Sequence, residues 1–426
     1  MKAWLKSLDA YWFGHGSPVT LGLIRIFIGF WALTNFLMIA PDFNAWFTEK
    51  GYVPFEAAMR KMPNLSETST VFGQPWTLPF QVPRVSLVNY FGLGTSAPWM
   101  LAVYVLTILA ALTTMLGLWT RVSTILLALG TVTIHHRNGF IVHGGDTVLR
   151  VMVLYLVLAP CGLSCSLDRL IGLWKGRIQP GIPMVSLWSQ RLIAYNIALV
   201  YFTTFWHKMR GNFWRDGTAT WYPARLNEFD RFWVPPFLEN PPVIYLTTYG
   251  TLATELALGS LVFYKPLRKW VLLAGLMMHA YIEYSMNIPL FAFVICSCYV
   301  AFYSGEEVTA WVRRMGERFQ RKQVRVWTPA GKSMAPGPAA AIQAMDPLGL
   351  VAYNNGSSNA WEAKDLDNQP MSPAKASWTR SLGAWTVGWI PGVWQRVLNR
   401  TLADRVDEPV ATAIPKQAKK KKVVSH

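Results

Sequence analysis

An all-α, polytopic membrane bundle is the fold class this sequence predicts, and three observations predict it. Hydrophobic residues make up 52% of the 426 positions and charged residues only 15%, where a soluble domain carries about a quarter charged. The mean hydropathy over the whole chain is +0.23. Trp, Tyr and Phe number 21, 16 and 22, as expected where aromatic rings sit at the two headgroup levels of a bilayer.

A spanning helix needs about twenty largely apolar residues. That criterion places helices near 19–40, 98–118, 121–135, 147–163, 189–206, 242–264, 269–285 and 287–303, which is about eight spans. The first follows Lys2 and Lys6 and so begins like a signal peptide. Its apolar run is longer than a signal core of about 7–15 residues and no small-x-small site follows, so it reads as a retained helix.

Lys and Arg set the orientation. With the N-terminus inside, the cytoplasmic connections hold Arg121, then Arg169, Lys175 and Arg177, then Lys265, Arg268 and Lys269. The C-terminal tail also falls inside, and the bias points one way at each of these turns. Residues 41–97, 135–146 and those following Lys208 then face the extracytoplasmic side. The first of these loops, with Gly51-Tyr52-Val53-Pro54 and Gln74-Pro75-Trp76, reads as a packed lid. The localisation implied is a bacterial inner membrane with both termini cytoplasmic.

Residues 1–304 thus form the membrane domain. Residues 305–375 read as a basic segment followed by a disordered linker rich in Pro, Ala, Gly and Asn. Residues 376–400 space Trp378, Trp385, Trp389 and Trp394 among apolar positions with Arg380, Arg396 and Arg400, as in a helix lying on a leaflet. Residues 401–426 form a basic tail, with the run 419–422 suited to anionic lipids. The partners expected are therefore the bilayer and its anionic lipids. The +17 net charge does not point to a nucleic acid, because it lies in short connections and in this tail.

Cys161, Cys165, Cys296 and Cys298 read as buried structural thiols, with a redox pair at 161 and 165 as the sharper reading. No zinc site of four N or S ligands is visible, so no metal ligands are assigned. No phosphate loop or serine-nucleophile elbow is visible either.

Three polar clusters stand out against the apolar helices. In YFTTFWHKMRGNFWRDGTATW, His207 and Lys208 close an apolar helix, with Trp214 and Gly217 downstream. A lysine there either snorkels to the interface or, held in an apolar site, serves as a base. HHRNGFIVHGGD holds His143 and Asp146, and Arg150 follows Asp146 by about one turn. Asp146 suits a helix N-cap, and the alternative makes His143 and Asp146 polar site groups. In the later helices, His279 and Glu283 share a face. Glu255, in the body of its helix, needs a proton or a partner such as Arg25, Arg150 or Lys208.

The ordered fragments LGLIRIFIGFWALTNFL with Arg25, APDFNAWFTEKGYVP, RNGFIVHGGDTVLR, SLDRL, YFTTFWHKMRGNFWRDGTATWY and the helices of Glu255 and His279 resemble the horizontally transferred transmembrane (HTTM) family. Its members are bacterial relatives of the membrane domain of the vitamin K-dependent gamma-carboxylase. The resemblance implies that Lys208 matches the carboxylase lysine that deprotonates a vitamin K hydroquinone. It also implies a cofactor of the reduced vitamin K or quinol type, and leaves the substrate protein or peptide open. The function expected is a lysine-based enzyme working at the extracytoplasmic face, with Lys208, His143 and Asp146 catalytic. His207, Trp214, Glu255, His279, Arg25 and Arg150 would bind. The alternatives are a transport protein using Glu255, His279 and Glu283 as a polar path, and an export or maturation partner of a secreted peptide.

Overall fold

The computed structural model describes residues 2–54, 70–71, 74–75, 96–229, 231–233, 235–319, 323–374, 376 and 391–404. The chain divides into two compact units, residues 1–172 with 180–311 and residues 173–179 with 312–426. Most of the expected lid, most of the Trp-rich segment and nearly all of the basic tail lie outside the described residues.

The first unit is helical. After α1 (Lys2–Phe13) come α2 (Val19–Ile39), α3 (Phe43–Phe47), α4 (Ala97–Leu116), α5 (Thr120–Arg137), α6 (Gly144–Leu158) and α7 (Leu167–Trp174). Then follow α8 (Trp188–Met209), α9 (Asn212–Arg215), α10 (Pro241–Ser260), α11 (Lys265–Ser285) and α12 (Phe291–Ser297). A 3₁₀ turn, Cys298–Phe302, continues α12, and α13 (Gly305–Arg318) follows. A helix therefore lies in each of the eight predicted segments.

Fewer of these meet the requirements of a span. Among the described residues, Val19–Phe47 and Ala97–Leu116 are long and apolar enough to cross a membrane. The pair Phe291–Phe302 and Gly305–Arg318, bent by 100°, adds a third if it counts as one span. The remaining helices are diluted by polar groups. In α5, Thr120, Ser123, Thr124, Thr131, Thr133 and His135 are all buried.

Helix α2 buries Leu21, Ile24, Ile28, Ala32 and Phe36, spaced three and four apart on one stripe, and packs along α4. Lipid tails are as apolar as these side chains, so the contact is held by close packing rather than by escape from water. Small residues permit the approach. A Cβ at Gly29 would lie 2.6 Å from the Met115 amide, and one at Gly130 would meet Thr107 at 2.0 Å.

One end of the bundle is tied by Arg25, which is fully buried. Its guanidinium donates to the carbonyls of Met115 at 2.7 Å and Cys161 at 3.2 Å, and to those of Thr114 and Cys165. It thus satisfies carbonyls left open at the C-terminus of α4. Gly117, at φ +69°, ends α4 in the left-handed region, and a Cβ there would meet the guanidinium carbon at 2.7 Å. Asp168 secures the next helix, accepting from the Trp119 and Thr120 amides at 2.8 Å each. The described donors of Arg25, expected from sequence to bind, go to these backbone carbonyls.

The second unit carries short strands where composition predicts a linker, beside a first unit that is helical. Strands β1 (Val324–Thr328), β2 (Val351–Asn355), β3 (Glu362–Lys364) and β4 (Pro370–Met371) form a four-stranded sheet of order β2-β1-β3-β4. The parallel pair β1–β2, with Val324 opposite Val351, needs a crossover, and α14 (Pro336–Ala344) lies in it. Val324, Val326, Ala363 and Ala376 form the core. The strands are short and separated by Gly, Pro and Asn, which is why composition alone read as linker. In α15 (Pro391–Arg400) the side chains of Trp394 and Leu398 are buried against protein, so this part of the predicted leaflet helix does not present them to lipid.

Candidate functional site

Helix α8 sets Tyr201, Thr204 and Lys208 on one face by their spacing of three and four. Opposite them, α10 carries Glu255 in its body, α11 carries His279, and the 3₁₀ turn after α12 carries Tyr299. The Lys208 ammonium donates to Glu255 Oε1 in an ion pair whose side chains are 27% and 6% exposed. The same ammonium lies 4.8 Å from the centroid of the Trp214 ring, a cation–π contact. Thr204 stands beside the carboxylate, while Glu255 Oε2 has no hydrogen-bond partner among the described residues. Oε1 is thus occupied by the ammonium, while Oε2 is buried without a hydrogen bond of good geometry.

A second layer adjoins this pair. The Tyr201 hydroxyl lies 2.7 Å from His279 Nε2 and 2.7 Å from the Tyr299 hydroxyl. These three side chains are buried, and His279 is close enough to Lys208 to feel its charge. The Phe291 ring packs edge-on to His279, centroid to centroid 5.4 Å. An apolar groove of about 670 Å³ opens beside them, its walls including Phe27, Trp31, His279, Glu283, Phe293 and Cys296.

The HHRNGFIVHGGD cluster forms a corner at the start of α6. His143 is its N-cap: Nδ1 accepts from the Gly145 amide at 3.0 Å, while Asp146 Oδ2 accepts from the His143 amide at 3.0 Å. These reciprocal bonds form a capping box. Asn35 donates to Asp146 Oδ1 at 2.6 Å, and His135 Nε2 lies 3.9 Å from it. A Cβ on Gly145 would meet both the His143 ring at 2.8 Å and the Phe291 backbone at 3.0 Å. Phe291 therefore touches this corner on one side and His279 on the other.

The predicted residues thus separate into groups. Lys208, Glu255, Trp214 and His279 come together. His143 and Asp146 form a capping corner one aromatic residue away, and Arg150, half-buried one turn on, acts on His135 electrostatically. His207, expected from sequence to bind, faces outward from the last turn of α8 and does not join the pair. Glu283 pairs with Arg231 instead of extending a path from His279. Of the cysteines, all free, Cys161 and Cys298 are buried and Cys165 is exposed.

Sequence reasoning missed Tyr201, Tyr299, Asn35 and His135. Tyr201 was findable, since it lies two turns before Lys208 on the same face. The others are brought in by tertiary packing and carry no local signal. Among the described residues no group of three His, Cys, Asp or Glu is arranged to hold a metal ion.

No curated protein and no solved structure matches this chain. Residues 59–306 do match the HTTM domain, a range that holds Lys208, Glu255, His279, His143 and Asp146 and leaves out Arg25. That range is more than half of the 426 residues, and the chain belongs to the HTTM domain family of membrane proteins.

Proposed function

We propose that this protein is a multi-pass membrane enzyme whose base is Lys208, acting on a quinol or another lipid-phase substrate. The observation that carries the reading is the Lys208–Glu255 pair with Oε2 of the carboxylate buried and unpartnered among the described residues. Two charges withdrawn from water in one site keep their full charge only if each is well partnered. A proton can pass between the amine and the carboxylate, and the neutral amine is the form that accepts one from a substrate.

Trp214 covers the ammonium on its ring face and restricts where a substrate can approach. A quinol fits this donor set. Lys208 and Glu255 would hold its hydroxyl, Trp214 would hold its ring, and when bound it supplies an acidic O–H and reducing electrons. The two helices long and apolar enough to cross a bilayer, three if the bent pair counts as one, and the charge bias at the helix ends support a multi-pass chain with cytoplasmic termini and a site toward the outer face. The polar-path alternative is less well supported, because Glu283 is engaged by Arg231.

The test is oxygen uptake with reduced vitamin K by detergent-purified protein, together with epoxide formation. Wild type is expected to turn over, and Lys208→Ala to fall by about 10²–10⁴-fold, the usual contribution of a positioned acid or base. A folded wild type without uptake contradicts the quinol reading. Unchanged uptake in Lys208→Ala contradicts the role of the lysine.

A further inference from the structure

The apolar groove has a charged mouth. Phe27, Leu276, Ala280 and Phe293 line its apolar part, and Arg231 and Glu283 also line it. Arg231 comes from the connection before α10, which is pinned to the end of α11. The Asn287 amide donates to the Phe229 carbonyl at 2.8 Å, and the Tyr284 hydroxyl donates to the Trp233 carbonyl at 2.9 Å. The Phe232 ring stacks on Tyr284, centroid to centroid 5.5 Å. These contacts hold the Arg231 guanidinium beside Glu283. Its Nη1 donates to the Glu283 carbonyl at 3.0 Å and to Oε1 of the carboxylate. The described bonds of Arg231 all leave from Nη1, and the described bond of the carboxylate ends on Oε1.

We infer that this groove binds one phospholipid molecule whose headgroup carries a primary ammonium, with an acyl chain in the groove and the headgroup on Arg231 and Glu283. The inference takes the multi-pass arrangement from the proposed function and nothing from the lysine chemistry.

The mouth is complementary to such a headgroup without giving up its own ion pair. A guanidinium presents several N–H donors in a planar fork. With Nη1 on Glu283, the edge formed by Nε and Nη2 remains for a phosphate in the bidentate mode, and Oε2 of Glu283 remains for an ammonium. The two side chains are 33% and 18% exposed, open enough to be reached and shielded enough for charge-assisted bonds to outweigh those to water. The charges then alternate in sign around the mouth and none is left over. A phospholipid without the amine would instead set an unpaired negative charge beside Glu283. One with a quaternary amine has no N–H to give to Oε2.

The depth of the mouth fits as well. Helix α11 begins among Lys265, Arg268 and Lys269, and Glu283 lies about 22 Å beyond Arg268 along its axis. In a multi-pass chain that carries Glu283 to the opposite headgroup level. Phe232, Trp233 and Tyr284 are exposed around it, as aromatic side chains are at that level. From there the groove runs back along α11 past Ala280 to Leu276, about 10 Å into the apolar layer. Phe27, Leu276 and Phe293 are exposed along it, so a chain can enter sideways from the bilayer while its headgroup stays at the surface. The volume of about 670 Å³ is that of a site for a single small ligand.

Native mass spectrometry of the delipidated full chain in detergent, titrated with phospholipids of matched acyl chains, tests the site. Phosphatidylethanolamine is expected to bind as one molecule, about 10–100-fold tighter than phosphatidylcholine or phosphatidylglycerol, the worth of a charge-assisted hydrogen bond. Glu283→Gln is expected to turn the preference toward phosphatidylglycerol, because the guanidinium is then the only charge at the mouth. Ala280→Trp leaves the mouth intact, fills the groove and is expected to abolish binding; it carries the test if Glu283→Gln does not fold. Equal affinity for the three lipids, or wild-type binding by Ala280→Trp, overturns the inference. Vitamin K quinone that displaces phosphatidylethanolamine at equal concentration also overturns it and assigns the groove to a neutral ring instead. Lys208→Ala separates the two proposals: turnover is expected to vanish while the affinity for phosphatidylethanolamine stays.

Discussion

Arg25 and Lys208 are both cations within apolar helices, and their surroundings differ in kind. Arg25 is fully buried and all its described bonds end on backbone carbonyls, those of Thr114, Met115, Cys161 and Cys165. Lys208 is about a quarter exposed and its bond ends on a carboxylate whose other oxygen is buried and unpartnered among the described residues. Backbone carbonyls at a helix end cannot titrate or leave, so the first arrangement fixes two chain ends in place. A carboxylate can take a proton, so the second can change state. Burial alone does not mark a functional cation; the chemistry of its partner does.

This contrast can be broken from either side. The largest effect is expected at Arg25, where Arg25→Leu removes a donor from four carbonyls, of which Thr114 retains the Gly117 amide. About 3–5 kcal/mol of stability should be lost, the cost of removing one member of a buried charged network, and thermal unfolding in detergent reads it. A variant that unfolds at the wild-type temperature would show that the carbonyls do not need it. Next comes Glu255→Gln, which leaves Lys208 half-buried beside a neutral amide. Turnover should fall sharply while stability drops by about 1–3 kcal/mol, the penalty for an unsatisfied charge partner.

Smaller effects sharpen the boundary of the site. His143→Ala removes a helix cap and should cost about 0.5–2 kcal/mol with turnover changed little. A collapse of turnover at unchanged stability would instead place His143 in the chemistry. Arg231→Ala, which breaks the partly exposed pair with Glu283, should cost about 0–1 kcal/mol. A transport path through Glu283 would predict a functional loss there out of proportion to stability.

Much of this was legible in the chain because apolar periodicity is local. Segment 19–40 became α2 with nearly the same ends, and the HGGD turn does cap α6, with His143 at the N-cap where Asp146 was expected. Glu255 needed a partner, and Lys208 was one of three candidates named from sequence. What failed was whatever depends on distance along the chain. Arg25 and Lys208 look alike as lone cations in apolar runs, and packing alone separates them. Tyr299 lies 98 residues from Tyr201, with no spacing rule to join them. The sheet of the second unit was missed because Val324 and Val326 are two inward positions among turn formers, too few to outweigh composition.

The central claim is that Lys208 works as an amine and not merely as a charge. Turnover of Lys208→Arg, measured beside its unfolding temperature, tests this most directly, because a guanidinium keeps the ion pair with Glu255 but cannot give up its proton. The account predicts a folded, thermally near-normal protein that has lost turnover. A Lys208→Arg variant as active as wild type would contradict it and make the pair a structural tie of the same kind as Arg25.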